Sequence, residues 1–281
     1  MRSSSARAGN PTEPVTSEQE TERLARIYSA QALVYAERWS PIIRAGGLHL
    51  LEALAWRGAK RVLDIGTGTG AHLPDLRRLA PDAWVLGVDR SRGMLDLARP
   101  QRIPLALMDG MDLALRAQSF DVAVMIFMLF HLPDPLNALR GVRRVLRPGG
   151  TLGLVTWAAD PDVEASQVWD AELDALGARE PEPILRQHEL MNTTDKMASL
   201  LSGAGLTTVK LWIGRLEHTW DVEGLFALHT GFGRAKRKLD SLNEPTRIAF
   251  LERIRGQLAG LPEEAFRYRG TVVCSVACRP A

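Results

Sequence analysis

Three glycines alternate in Asp64-Ile65-Gly66-Thr67-Gly68-Thr69-Gly70, within and beyond the apolar run RVLDI. Glycines there let the chain turn sharply off a buried strand, approach a ligand closely and present backbone N–H groups at the start of the next helix. That is a cradle for a nucleotide-type ligand. Nineteen residues beyond Gly70, a second apolar run ends in Asp89. A carboxylate at that point can accept hydrogen bonds from both hydroxyls of a ribose. A third run ends in Asp109-Gly110-Met111, and a further acid, Asp64, stands two residues before the first glycine.

Holding these residues together requires strands. RVLDIG, WVLGVD, PLALMD, VAVMIF and TLGLVTW are short and uniformly apolar, which suits strands buried on both sides. Helical stretches alternate with them: AHLPDLRRLA, SRGMLDLARP and LNALRGVRRVL, the last stopping at Arg147-Pro148-Gly149-Gly150. Such alternation gives a parallel sheet with helices on both faces. Upstream, Ser17 and Glu20 have capping-box spacing. They predict a helix from near residue 18 that keeps its period up to Pro41, followed by a second helix over about 48–56. Residues 1–16, rich in Ser, Gly, Pro and Thr, cannot offset the entropy of ordering and read as a disordered tail. After Trp157 the alternation stops. A polar stretch leads to a helix at about 194–204, the strand TTVKLWIGRLEHTW, helical stretches at about 221–237 and 244–260, and a last strand, GTVVCSVACR.

The composition is that of a globular chain, with 281 residues, 46% of them hydrophobic. A net charge of +2 from 35 basic and 33 acidic residues argues against a nucleic-acid arm. The two cysteines, Cys274 and Cys278, lie about 13 Å apart along a strand and cannot bridge. Without a disulfide framework the expected location is cytoplasmic. The longest apolar run, Val122 to Phe130, is far short of the roughly 20 residues of a membrane helix. No His/Cys/Asp cluster has metal-ligand spacing.

A glycine turn and a ribose acid fit either a nicotinamide oxidoreductase or an S-adenosylmethionine enzyme. The details separate the two. The glycines are spaced G-x-G-x-G, an acid precedes them, and the third strand ends in its own acid. Here the sequence resembles the class I S-adenosylmethionine-dependent methyltransferases, in particular the broad ubiquinone/menaquinone-methyltransferase-like group acting on small molecules. The matching segments are VLDIGTGTG at 62–70, VLGVDRSRGMLDLAR at 85–99 and MDGMDLALRAQSFDVAV at 108–124, with LFHLPDP at 129–135 and LRGVRRVLRPGGTL at 139–152. The resemblance and the run of elements together imply an α/β fold: a Rossmann-like, seven-stranded, mostly parallel sheet with an antiparallel last strand, helices on both faces, and a mainly helical cap. One domain is expected over 17–281. It comprises N-terminal helices at 17–58, a cofactor-binding core at 60–157, a substrate cap with the sixth strand at 158–262, and the last strand at 270–279.

Residue by residue, the resemblance implies that the backbone of Gly66, Thr67 and Gly68 holds the methionyl end of S-adenosyl-L-methionine, with Asp64 close to its amino group. Asp89 would bind the ribose, with Arg90 and Met94 beside the adenine. Asp109 would accept from the adenine amino group, and Gly110 and Met111 would pack on the ring. Ile126 and Phe127 would face the sulfonium. Tyr28 and Tyr35, seven residues apart on one helix face, match tyrosines that close over the cofactor in related enzymes.

Departures from the family pattern matter as well. Leu113-Ala114-Leu115 replaces a common Leu-Pro-Phe, and the usual double histidine before Leu-Pro is Phe130-His131. The fourth strand lacks the Asn/Asp-Pro-Pro-Tyr ending of enzymes that methylate amino groups of bases and proteins. The expected reaction is methyl transfer to an O or C atom of a small, apolar or aromatic molecule. The alternatives are a catalytically inactive S-adenosylmethionine-binding sensor or partner protein, an RNA methyltransferase, or an NAD-dependent oxidoreductase. No nucleic-acid partner is expected; Arg140, Arg143, Arg144 and Arg147 read as a solvated helix face. Candidate bases are His131, His218 and His229, with His229 favoured for its place beside Phe226 and Phe232. Trp157, Trp169, Trp212, Trp220, Phe226 and Phe232 are candidate walls of a substrate pocket, only two or three of them expected to touch a ligand.

Overall fold

The computed structural model of the chain describes residues 16–159, 163–180, 184 and 187–281. The tail expected at 1–16 lies outside these residues apart from Thr16, which caps the first helix, α1 (Ser17–Ala30). The capping box is formed by Thr16 and Gln19, one residue earlier than Ser17 and Glu20 suggest, with each side chain bonded to the other's backbone N–H. A short helix, α2 (Ala32–Val34), and a π turn over Tyr35–Trp39 lead into α3 (Ser40–Ala53). Pro41 therefore begins a helix rather than ending one, because it occupies the first turn, where its missing N–H has no intrahelical partner to lose. That helix ends at Ala53, short of Trp56.

The core alternates as the apolar runs predict: β1 (Arg61–Ile65), α4 (Leu73–Leu79), β2 (Trp84–Asp89), α5 (Arg92–Ala98), β3 (Leu105–Leu107), β4 (Phe120–Ile126), α6 (Pro135–Val145) and β5 (Leu146–Ala159). Beyond β5 stands a helix with no counterpart in the sequence expectation, α7 (Glu164–Ala175). Its acids mask the pattern; the buried stripe is Ala165, Trp169 and Leu173, one residue in four. Then come α8 (Thr194–Gly203), β6 (Thr207–Thr219), α9 (Val222–Gly231), α10 (Gly233–Asp240), α11 (Glu244–Ala259) and β7 (Arg267–Cys278). The expected helix over 221–237 is two helices, because Phe232 is extended and Gly233 has φ +75°.

The seven-stranded sheet has the order β3-β2-β1-β4-β5-β7-β6, and only β7 is antiparallel to its neighbours. The order reverses between β1 and β4, and ligands of open α/β sheets bind at the carboxyl ends of strands beside such a switch. Register places Ile65 opposite Val88 and Asp89 opposite Leu107, so the glycine turn, Asp89 and Asp109 emerge along one edge. Past the end of β4, Phe127 takes φ +54°, a left-handed conformation unusual for a bulky residue. Its N–H still donates to Val155 O, 2.9 Å away. Cys274 and Cys278 are unbridged on β7.

Helix α3 meets the start of α4 at Gly47, where an added Cβ would lie 2.0 Å from Nε2 of buried His72. Alanine adds helix propensity of about 1 kcal/mol, but its Cβ would also lie 2.7 and 2.9 Å from two carbons of the same buried ring. Overpacking of this kind costs about 1–3 kcal/mol or more. Gly47→Ala is therefore expected to lower the melting temperature by a few degrees, and a rise would show that the ring yields.

Candidate active site

The turn after β1 rests on the end of β2: the N–H groups of Gly66 and Thr67 both donate to Val88 O, at 2.8 and 3.0 Å. Gly66 has φ +74°, and a Cβ there would meet Met128 Cβ at 2.7 Å. Asp89 holds the turn from the side. Its Oδ2 accepts from Gly68 N at 2.8 Å and its Oδ1 from Ser91 N at 2.7 Å. Burial raises the Asp89 pKa above the usual carboxylate range, while backbone N–H bonds from Ser91, Gly68 and Arg90 pull it down. Ser91 in turn caps α5 through Met94 N.

A cavity opens over this edge. Of the residues singled out in the sequence, Tyr28, Tyr35, Gly66, Gly68, Asp89, Arg90, Met94, Asp109, Gly110 and Ile126 line it. Asp64 and Thr67 do not: Asp64 is 2% exposed and takes the Thr67 hydroxyl at 2.7 Å, so both lie behind the turn. Met111 faces an outer groove with Glu22 and Arg26 instead, although its N–H donates to Asp109 Oδ1 at 2.9 Å. The other carboxylate oxygen of Asp109 is held by Arg90, which also donates to Thr21 Oγ1 of α1 at 2.7 Å. Leu24 and Ala25 of α1 and Met128 also line the walls, and no motif in the sequence marks them; Leu132, from the LFHLPDP segment, lines them as well.

These residues fit S-adenosylmethionine. Carboxylates stand at the Asp89–Asp109 end for hydroxyl and amine donors, a turn without side chains forms the floor, and apolar Met94 and Ile126 lie between. Among the described residues there is no cluster of three metal-ligating side chains. No helix among them is long and apolar enough to cross a membrane.

A second cavity of about 300 Å³ adjoins the first. Tyr28, Tyr35, Phe127 and His131 line both. The two tyrosine rings meet edge to face at 5.8 Å, even though the helix changes between them. Burial lifts the Tyr35 hydroxyl well above its ordinary pKa, with Tyr28 and Asp89 adding to the effect. Tyr28 Oη and His131 Nε2 are 3.0 Å apart. Trp157, Trp220 and Phe232 line the second cavity together with Trp39 and Tyr268, which the sequence reading missed. The other three candidate walls lie elsewhere. Trp169 is fully buried against Phe250, Phe226 lies under Arg255, and Trp212 lies under Lys210 on β6. His229 lines the second cavity away from the shared wall, 3.2 Å from Ser166 Oγ, and burial lowers its pKa to about 4. His218 packs on Trp220 and does not line either cavity.

The buried acid behind the turn has a measurable signature. Desolvation raises the Asp64 pKa to about 7, against the hydrogen bond from Thr67, and Asp89 adds to the rise. Between the ordinary carboxylate range and pH 7 the folded protein holds a proton that the unfolded chain has lost, so this group's contribution to stability falls as pH rises. An asparagine at this position keeps an acceptor for Thr67 and carries no charge. Asp64→Asn should therefore be stabilised relative to wild type by roughly 2–4 kcal/mol more at pH 8 than at pH 4. Thermal melts at the two pH values check this; a pH-independent difference would refute the assignment.

Comparison with known proteins agrees with this geometry. Residues 63–154 match the family described as methyltransferase domain. Over 147 residues the chain is 32% identical to a demethylmenaquinone methyltransferase of Corynebacterium kroppenstedtii, an overlap of 49% of this chain and 61% of that protein. It is 30% identical over 172 residues to the O-methyltransferase rstn1 of Aspergillus nomiae, covering 57% of this chain and 69% of that one. A solved phospholethanolamine N-methyltransferase 2 of Haemonchus contortus, in complex with S-adenosylhomocysteine, shares the fold at 14% identity. Its TM-score is 0.54, with 95% of this chain and 61% of that chain covered. By its glycine turn, its strand-end acids, its sheet order and these relatives, the chain belongs to the class I S-adenosylmethionine-dependent methyltransferases.

Proposed function

We propose that the protein transfers a methyl group from S-adenosylmethionine to an O or C atom of a small aromatic molecule. The observation that carries this reading is the wall common to both cavities, Tyr28, Tyr35, Phe127 and His131. A donor on one side and an acceptor on the other would meet there. S-adenosylmethionine, when bound, supplies a methyl group already activated on a sulfonium, so the protein's work is alignment and exclusion of water.

In this reading the backbone of Gly66 and Gly68 and the carboxylates of Asp89 and Asp109 bind the cofactor, while Arg90, Met94, Gly110 and Ile126 pack around it. Asp64 and Thr67 support the turn from behind. Helix α1 covers the site, tied down by Ser29 Oγ to Ser91 Oγ at 2.8 Å and by Arg90 to Thr21. Nε2 of His131, 3.0 Å from Tyr28 Oη on the common wall, takes the tyrosine proton as the tyrosine oxygen takes that of an acceptor hydroxyl. His131 replaces His229 as the favoured base, since His229 lies off that wall. Calorimetric titration with S-adenosylhomocysteine tests the reading first, and absence of binding defeats it. Turnover against phenols and quinols tests it second.

A further inference from the structure

The second cavity has two chemically different kinds of lining. One is aromatic: Trp39, Trp157, Trp220 and Tyr268 pack on one another with ring centroids 5.7–6.3 Å apart. The other carries Arg234 and Arg237 of α10, and no Asp or Glu among the described residues lines the cavity anywhere. The carboxylates that hold these arginines, Asp170 and Glu180, are not on its surface.

Arg234, Arg237 and Lys238 are matched in number by Glu180, Asp170 and Asp174, but the pairing leaves guanidinium N–H groups unused. Nε and Nη2 of Arg237 both turn to a single oxygen of Glu180, and the two side chains are only 12% and 14% exposed. The remaining nitrogen, Nη1, has no partner among the described residues. Arg234 reaches the other Glu180 oxygen only at 3.8 Å and Asp170 at 3.3 Å. Asp170 is itself shared with buried Lys238, which also takes Asp174 at 2.6 Å. With Asp174 serving Lys238, each guanidinium has a carboxylate nearby, but those carboxylates lie off the cavity while both arginines line it. A planar guanidinium with free N–H groups at a nearly buried site matches a carboxylate in shape and charge. Among the described residues a cationic acceptor would meet two arginines and no acid in this cavity, and the aromatic rings alone do not offset that.

We propose that the acceptor is an aromatic carboxylic acid. Its carboxylate is bound by Arg237 and Arg234, its ring lies against the tryptophans, and the atom to be methylated reaches the His131 wall. The inference rests on the methyltransferase reading for the direction of the acceptor but not for its charge. Arg234 and Arg237 line the second cavity but not the wall it shares with the first, so the carboxylate is recognised and not esterified.

The test is calorimetric binding of 6-hydroxy-2-naphthoate and of its neutral primary amide, with and without S-adenosylhomocysteine. Wild type is expected to bind the acid about tenfold or more tighter than the amide, as one charged hydrogen-bonded pair allows. Arg234→Gln should narrow the gap, and Arg237→Gln should close it. Equal binding of acid and amide by wild type, an undiminished gap in both variants, or no binding of either probe overturns the inference. Arg237→Gln strands Glu180, so its fold is checked by circular dichroism. Arg234, half exposed, gives a second variant that leaves the buried pair intact. Failure to bind S-adenosylhomocysteine would instead defeat the methyltransferase reading, while the acid-against-amide comparison on the free protein still decides the charge of the acceptor.

Discussion

Asp89→Ala is expected to weaken S-adenosylhomocysteine binding by about two orders of magnitude, as two lost charged hydrogen bonds would. The carboxylate has two duties. Its oxygens accept from Gly68 N and Ser91 N, and each oxygen retains a lone pair for a ribose hydroxyl. Alanine removes the ribose acceptors and also leaves the glycine turn without its lateral tie. Asp89→Asn separates the two effects. One amide oxygen can still tie down Gly68 N, but the amide nitrogen faces Ser91 N–H and a hydroxyl is bound less well. Its expected loss is intermediate, about tenfold. Calorimetry gives both constants, and the thermal shift produced by the ligand should disappear in the alanine variant. If Asp89→Ala binds within threefold of wild type, the ribose assignment is wrong.

The second large effect is expected at His131. His131→Asn should lower turnover on a phenolic acceptor by about 10²–10⁴-fold, the usual contribution of a positioned base. Affinity for S-adenosylhomocysteine should change little, because His131 lies at the edge of that cavity. Tyr28→Phe removes the hydroxyl 3.0 Å from Nε2 and should cut kcat more than it raises KM. Acceptor acidity supplies the discriminating readout. A phenol acidic enough to be ionised at the assay pH needs no base, so the penalty of His131→Asn should shrink on it. A histidine that merely packs the wall would produce the same loss on every acceptor, together with a lower melting temperature.

The cofactor side of the site was legible in the sequence because it is local. A glycine turn, a strand-end acid and a helix cap follow one another along the chain, and register between parallel strands carries Gly66, Asp89 and Asp109 to one edge. What failed to show was whatever depends on a distant partner. Asp64 and Thr67 bond to each other behind the turn, and only the three-dimensional structure reveals that the cavity lies on the other side. Trp169 and Trp157 are alike in sequence; the packing of α7 on α11 buries one, while the other reaches the second cavity. Helix α7 itself was hidden because its acids answer cations far along the chain, Asp170 and Asp174 to Lys238 and Glu172 to Arg253. Pro41 reads equally well as a stop or a start until the first turn of α3 is seen.

Phe127 sets stability against activity at one residue. Its left-handed backbone, φ +54°, costs on the order of 1–3 kcal/mol for a side chain of this size. Glycine would relieve much of that cost, yet it would delete the ring that packs at a tilt on Trp157, 4.4 Å between centroids, and lines both cavities. A screen that rewards thermal resistance alone would therefore tend to select the loss of this ring, and with it a wall common to both cavities. Stabilised variants of this protein are better sought on the outer helices, with position 127 held fixed.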